Sequence, residues 1–143
     1  MKLSKKTDYA LRALIYLSLR YEKGSVQIKE ISTREKLPTK FLENILLSLR
    51  KAGVLRSKLG LKGGYSLARP PEQITLGEVI RILDGTIAPM GCVSHVECES
   101  CPAEVGCAVK SVMQDVRNAV ARVLDDTTLA DLTERVDTLQ NVG

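Results

Sequence analysis

The sequence contains very few aromatic residues, which limits what can form its core. In 143 residues there is no tryptophan, one phenylalanine and four tyrosines, and aromatic residues make up 3% of the chain. Hydrophobic residues nevertheless make up 44%, as in ordinary globular proteins. The core must therefore be built from leucine, isoleucine, valine and alanine. A chain of this length forms one ordinary domain, or a small domain with an extension.

Long apolar runs are also absent. A membrane-spanning helix needs about 18 consecutive apolar residues, and no run in the chain approaches that length. Basic residues precede an apolar segment at the N-terminus, as in a signal peptide. However, Asp8, Arg12 and Arg20 interrupt that segment, and no small-residue cleavage site follows. We therefore expect a cytoplasmic protein with no membrane partner.

Cysteine and histidine are absent outside one short stretch. Residues 91–107, GCVSHVECESCPAEVGC, contain all four cysteines and the single histidine, namely Cys92, His95, Cys98, Cys101 and Cys107. In a reducing compartment, clustered cysteines are more often metal ligands than disulfides. With no histidine elsewhere to act as a general base, we expect no enzyme. The catalytic alternative is a dithiol redox pair formed by Cys98 and Cys101. Thioredoxin-type motifs, however, follow a strand and open a helix, and this pair does not clearly do so.

The charge of the chain is divided between its two halves. Residues 1–71 carry 16 Lys and Arg against 5 Asp and Glu, a net +11, whereas residues 72–143 carry 5 against 12, a net −7. A charge excess usually marks only a solvated face. A segregation this strong favours a basic half that binds a polyanion such as double-stranded DNA.

Hydrophobic periodicity predicts helices over about 4–21, 27–35, 38–51, 75–83 and 102–124, with a last helix capped by Thr127 or Thr128. Two short strands, 54–58 and 65–69, are joined by the glycine-bearing tip LGLKGG. The third helix is predicted to bury one stripe, which consists of Phe41, Leu42, Ile45, Leu46 and Leu49.

A helix, a tight turn and a second helix followed by a basic hairpin form a winged helix-turn-helix. The predicted fold class is therefore mainly α with a small β-hairpin, a winged helix-turn-helix plus a long dimerisation helix. The expected organisation is a DNA-binding domain (1–71), a connecting helix with a cysteine loop (72–101), and a dimerisation helix with a C-terminal helix (102–143).

The long helix carries an apolar seam at three-four spacing, formed by Val109, Val112, Val116, Ala119 and Val123. This spacing gives the a and d positions of two heptads. The seam packs either on its own domain or on a second copy of the chain, and a symmetric homodimer would bury it well.

The expected DNA contacts lie on the third helix and on the hairpin, or wing. Glu43 would repel phosphate unless it accepts a hydrogen bond from a cytosine amino group; the alternative is a surface glutamate paired with Lys40. Glycines in the wing let the backbone approach the DNA closely, and lysines there bind phosphates or enter a minor groove. The complete candidate set is Thr39, Lys40, Glu43, Asn44, Arg50, Lys58, Lys62, Gly63 and Gly64.

Several segments in order resemble the Rrf2 superfamily of bacterial winged-helix transcription regulators, of the IscR and NsrR type. They are MKLSKKTDYALRAL, FLENILLSLRKAGVLRSKLGLKGGYSLARP, ITLGEVIRILDG and the clustered cysteines before a long helix. The resemblance implies a homodimer that binds palindromic promoter DNA and reads a base with Glu43. It also implies an iron–sulfur cluster that reports on iron or cluster supply, redox state or nitric oxide. Relatives commonly carry an arginine where this chain has Leu59, so Lys58 or Lys62 would have to take its place.

The cysteine spacing C-x5-C-x2-C-x5-C leaves several cofactors open. An iron–sulfur cluster, [2Fe–2S] or [4Fe–4S], tolerates long spacings, while zinc sites usually have two short C-x2-C pairs. The alternatives are a cluster-free regulator using zinc, thiol oxidation or a partner protein, and inert structural cysteines. By resemblance, Cys92, Cys101 and Cys107 match the ligands of relatives. The fourth ligand is then Cys98, Asp8 or His95, and thiolate chemistry favours Cys98.

Overall fold

The computed structural model describes residues 2–89 and 106–142. Within them the chain forms α1 (Lys5–Leu19), α2 (Ile28–Glu35), α3 (Thr39–Lys51), β1 (Leu55–Lys58), β2 (Gly64–Leu67), a 3-10 turn (Pro71–Gln73), α4 (Leu76–Asp84), α5 (Ala108–Asp126) and α6 (Leu129–Val142). This order confirms the predicted winged helix-turn-helix with a long helix beyond it. No helix in the described ranges has the length and apolar character needed to cross a membrane.

The turn between α2 and α3 is closed by one serine. Lys36 ends α2 in the left-handed conformation, with φ of 54°. The Ser32 hydroxyl then donates to the Leu37 carbonyl at 2.6 Å and lies 2.9 Å from the Thr39 hydroxyl. Pro38, which precedes the first turn of α3, adopts an extended conformation. These local bonds fix the angle at which α3 leaves the turn.

The core lies between α1, α3 and the hairpin. Ala10, Ala13 and Leu14 of α1 are fully buried, and α3 buries Leu42, Ile45, Leu46 and Leu49. The prediction that Phe41 belongs to this stripe was wrong, because 40% of its surface is exposed. Its ring instead packs edge-on against Tyr9, with 5.7 Å between ring centroids. Phe41 lies at the border of the stripe, where α1 covers only part of it.

The C-terminal helices are attached to α4 at its first turn. The Leu76 N–H donates to the Thr127 carbonyl, and the Leu129 N–H donates to the Ile74 carbonyl, both at 2.9 Å. Leu129 is fully buried, and α6 returns to pack against α1. The end of α5 is therefore fixed to the part of the chain that carries the wing.

The long helix begins later than its periodicity predicts. The predicted start was Pro102, but Gly106 has a positive φ of 75° and Cys107 caps the first turn of a helix that begins at Ala108. A residue with positive φ breaks right-handed helix geometry, which is why α5 cannot continue back through Gly106.

No residue of α5 is buried in the chain. The seam valines Val109, Val112, Val116 and Val123 are 59%, 55%, 38% and 65% exposed.

Candidate nucleic-acid interface

The N-terminal half of α3 separates cleanly into a buried and an exposed face. Leu42, Ile45 and Leu46 are at most 1% exposed. The four predicted DNA-contacting residues of this helix all lie on its exposed side: Thr39, Lys40, Glu43 and Asn44. Since the apolar stripe anchors α3 to the core, these four polar side chains project together from one surface.

Among the described residues, the Glu43 carboxylate has no salt-bridge partner. The salt bridges among the described residues join other pairs, and none involves Glu43 or Lys40. The alternative of a surface glutamate paired with Lys40 is therefore not observed. An exposed carboxylate on a basic surface is left to accept hydrogen bonds from a partner.

The glycines of the wing are required by the wing itself. A Cβ at Gly63 would lie 2.1 Å from the Lys58 carbonyl oxygen. Gly64 has φ of +149°, and a Cβ there would lie 2.3 Å from the Val26 carbonyl oxygen. Gly64 can pack this closely because Val26 and the neighbouring Tyr65 exchange backbone hydrogen bonds at 2.8 Å in both directions. Close approach of these glycines to DNA stays a prediction. The wing needs glycine at both positions whether or not DNA is bound.

The cations around the wing are of two kinds, exposed lysines and arginines that form hydrogen bonds within the fold. Lys58 and Lys62 are exposed. Arg50, in the last turn of α3, donates to the Ser57 hydroxyl at 3.2 Å, and Arg56 donates to the Ala68 carbonyl at 3.1 Å. The arginines thus join α3 and the two strands while keeping their charge on the surface. The lysines project from the hairpin.

Sequence reasoning missed two residues that shape the tip of the wing. Gln27, the residue before α2, donates from Nε2 to the Leu61 carbonyl at 2.9 Å. Leu61 itself is 96% exposed. The available signal was LGLKGG, which places leucines among glycines where no core is expected.

Of the candidate cluster ligands in the loop, only Cys107 lies in the described residues; Cys92, His95, Cys98 and Cys101 lie outside them. Cys107 is half-buried, and its Sγ accepts a hydrogen bond from the Lys110 N–H at 3.4 Å. This sulfur therefore caps the N-terminus of α5, directly after the cysteine loop. Within the described residues, no group of three or more potential ligands is arranged to hold a metal ion.

Asp8, the proposed alternative ligand, lies in the first turn of α1. Its carboxylate forms an ion pair with Arg12 at 3.1 Å, and the two side chains are 49% and 53% exposed. An exposed pair four residues apart on a helix is worth only about 0.3–0.5 kcal/mol. This pair would therefore be no obstacle to another use of the Asp8 carboxylate.

A polar contact joins the start of α1 to Asp84, the last residue of α4, which lies shortly before the cysteine loop. The Ser4 hydroxyl donates to an Asp84 carboxylate oxygen at 2.6 Å, and the same hydroxyl caps α1 by accepting from the Thr7 N–H. Burial raises the pKa of Asp84, but hydrogen bonds from Ser4 and Thr7 and the charge of Lys6 outweigh it, so the pKa lies below its usual value. The entrance to the cysteine loop is thereby attached to the first helix.

The sequence pattern of one family covers nearly the whole chain. The pattern of Rrf2, described as an iron-dependent transcriptional regulator, matches residues 3–135. The chain belongs to the Rrf2 family. Its members are DNA-binding transcription regulators, not enzymes. An rrf2-like putative regulator of Rhodobacter capsulatus is 40% identical over 136 residues, covering 91% of both chains. NsrR of Halalkalibacterium halodurans is 32% identical over 140 residues, covering 98% of this chain and 95% of that protein.

Solved structures of this Rrf2 chain's relatives share its fold. CymR of B. subtilis, described as the global cysteine regulator, superimposes with a TM-score of 0.82 at 35% identity, covering 94% of this chain and 98% of that one. IscR of T. potens superimposes with a TM-score of 0.79 at 33% identity, covering 98% and 91%. The match includes the winged helix-turn-helix and the long helix that follows it.

Proposed function

We propose that this Rrf2 regulator is a homodimer that binds palindromic promoter DNA through α3 and the wing, under the control of an iron–sulfur cluster in the cysteine loop. The supporting observation is that α3 and the wing both expose polar and basic side chains, and that a hydrogen bond from Arg50 to Ser57 joins these two elements. In this proposal Thr39, Glu43 and Asn44 read base edges, and the remaining cations bind phosphates: Lys40, Arg50, Lys58 and Lys62. Gly63 and Gly64 shape the wing.

The dimer in this proposal is built on α5. A 19-residue helix with no buried residue and a stripe of exposed valines needs a partner to cover that stripe. A second copy would do so with the same surface, as in a two-fold dimer. Two-fold symmetry then presents two copies of α3 to half-sites about 34 Å apart. Residues 1–71 bind DNA, residues 72–101 connect and sense, and residues 102–143 dimerise.

The cluster in this proposal is held by Cys92, Cys98, Cys101 and Cys107, with Asp8 or His95 as the alternative to Cys98. The description of the family as iron-dependent and the position of Cys107 at a helix N-terminus support it. When bound, the cluster supplies a centre sensitive to oxidation and nitric oxide. The chain's own residues link the loop to both functions, since Cys107 begins α5 and Asp84, at the other side of the loop, contacts Ser4 of α1.

A cluster-free regulator is the second candidate, in which the cysteines bind zinc, undergo thiol oxidation or contact a partner protein. The relative described as a global cysteine regulator and the solved oxidized form of Staphylococcus aureus CymR favour it. In this case the DNA-binding surface and the dimer are unchanged, and only the signal differs.

Operator affinity at fixed salt tests the proposal. The probe is a duplex selected from a random library by the wild-type protein, and its affinity is measured by fluorescence anisotropy. We expect protein purified without oxygen and the Cys107→Ala variant to differ at least tenfold in affinity. Equal affinities, with a palindromic selected sequence, would refute control by the cluster but leave DNA binding standing. A library that yields no sequence would count against the DNA-binding surface.

A further inference from the structure

The tip of the wing exposes two leucines to water. Leu59 and Leu61 are 94% and 96% exposed, higher than any other large hydrophobic residue in the described ranges. Fully burying a leucine side chain contributes about 1.5–3 kcal/mol, and these two side chains contribute almost none of it to folding. They are instead available to a partner.

The turn that carries these leucines is held by two hydrogen bonds. The Leu61 carbonyl accepts from Gln27 Nε2 at 2.9 Å, and the Gly63 N–H donates to the Gly60 carbonyl at 3.0 Å. Because Gln27 immediately precedes α2, the tip is attached directly to the helix-turn-helix. The backbone that carries the two side chains is therefore fixed relative to the helix-turn-helix, which lowers the entropy cost of placing the tip in a binding site.

The surroundings of the leucines match the chemistry of a DNA minor groove. Residues 54–69 contain Arg56, Lys58, Lys62 and Arg69 and no Asp or Glu. Arg69 is paired with Glu78, so the positive charge beside the leucines comes from Lys58 and Lys62. A minor groove has phosphates along its walls, and apolar side chains that enter it partly unstack a base step and bend the duplex. Pyrimidine–purine steps unstack most easily. An apolar tip flanked by lysines fits this target.

We propose that Leu59 and Leu61 enter the minor groove beside the site of α3 and favour a flexible pyrimidine–purine step there. This inference rests on the proposed DNA-binding function and adds a specificity determinant to it. The preference arises from the deformability of the DNA, at base pairs that α3 does not reach.

The test compares duplexes that differ only at the step under the wing. Starting from a duplex selected by the wild-type protein, that step is set to TA, CA or AA, and 2-aminopurine placed there reports unstacking by its fluorescence. We expect the Leu59→Ala/Leu61→Ala variant to bind the TA duplex about tenfold more weakly. It should also lose the preference for TA over AA and the rise in fluorescence. The Leu59→Met/Leu61→Met control keeps the apolar volume and should retain all three.

A variant that removes a predicted phosphate contact tests DNA binding by the wing separately from entry of the leucines into the groove. Lys62→Ala should weaken binding to every duplex alike and lower the salt dependence by about one charge. If only Lys62→Ala weakens binding, the leucines do not enter the groove and instead serve a protein partner, which overturns the inference while the DNA-binding wing remains. If Lys62→Ala, Glu43→Ala and the double leucine variant all bind normally, the proposed DNA surface is wrong as well. Thermal unfolding midpoints should stay unchanged, since these side chains are exposed.

Discussion

On α3 and the wing, some side chains are buried in the core and others are exposed and available to bind DNA. The periodicity of α3 predicts Leu42, Ile45 and Leu46 as core, and the structure buries them. Phe41 follows the same periodicity but lies at the edge of the stripe, and its exposure depends on how α1 crosses α3. A tertiary crossing of this kind is not encoded in local spacing. Contacts such as that between Gln27 and Leu61, 34 positions apart, are equally invisible to it.

Glu43→Ala should broaden sequence recognition without weakening non-specific binding. A carboxylate that accepts from cytosine is worth about 1–3 kcal/mol of discrimination against the wrong base, whereas on non-specific DNA it only repels phosphate. Selection from a random duplex library should therefore lose the preference at one base pair of each half-site. Lys40→Ala, one turn away, is the matched control and should lower affinity for all sequences. An unchanged selected sequence for Glu43→Ala would show that Glu43 reads no base.

Gly64→Ala should destabilise the protein by about 1–3 kcal/mol, the usual cost of a strained backbone position. The added Cβ meets the Val26 carbonyl oxygen at 2.3 Å, and the backbone φ of +149° disfavours any side chain. Urea unfolding measures the free energy. Ser66→Ala, in the same strand, should cost under 1 kcal/mol, as surface changes generally do. Equal stability of the two variants would contradict the role assigned to Gly64.

The helices and strands illustrate what the sequence predicts well and what it does not. Capping residues predict helix starts: Ser4 and Thr75 accept the hydrogen bonds expected of N-caps. The start of α5 was missed because Pro102 is a good first helical residue, whereas the true start depends on the positive φ of Gly106. The junction of α4 and α5 also depends on tertiary contacts. A Cβ at Gly77 would lie 1.9 Å from an Asp125 carboxylate oxygen, and no local pattern predicts this approach.

A bidentate ion pair also contributes to the junction of α4 and α5. Arg81 donates from both terminal nitrogens to the Asp125 carboxylate, at 2.6 and 2.9 Å. Both side chains are over 40% exposed, so solvent screening limits the pair. A double-mutant cycle with Arg81→Ala and Asp125→Ala, measured by urea unfolding at pH 7, should give a coupling energy of about 0.5–1 kcal/mol.

The same pair should weaken in acid. The hydrogen bond from Arg81 lowers the pKa of Asp125, against a smaller rise from burial. The folded pKa then lies below the unfolded value of about 3.9. The stabilisation is therefore fully present above that unfolded value and is lost as the pH falls through the folded pKa. A coupling energy that stays constant when the cycle is repeated at progressively lower acidic pH would contradict this assignment.

At the scale of the whole molecule, charge and apolar surface are divided between the two halves of the sequence. The basic half carries the winged helix-turn-helix, and the acidic half carries α5 with its exposed valines. The charge count predicts this division from the sequence alone. The class of fold and the DNA-binding role are also predicted from the sequence. The positions of three of the four cysteines lie outside the described residues, so the ligand set still rests on their spacing and chemistry.

Val112→Asp should dissociate the proposed dimer, because it places a charge at the centre of the valine stripe. We expect the dissociation constant to rise at least 100-fold, measured by sedimentation equilibrium, together with a loss of operator binding. Asn118→Asp adds the same charge on a different face of α5 and should leave the dimer intact. A wild-type protein that sediments as a monomer, or a Val112→Asp variant that remains dimeric, would mean that α5 is covered in some other way.

The most direct test of the account is the visible absorption spectrum of protein purified without oxygen, with iron and acid-labile sulfide assayed on the same sample. The account predicts a visible absorption band with roughly stoichiometric sulfide, lost when Cys92, Cys101 or Cys107 is changed to alanine. The Cys98→Ala, Asp8→Ala and His95→Ala variants then identify the fourth ligand. A colourless protein without sulfide, even after attempted reconstitution, would contradict the cluster and assign the four cysteines to zinc or thiol chemistry.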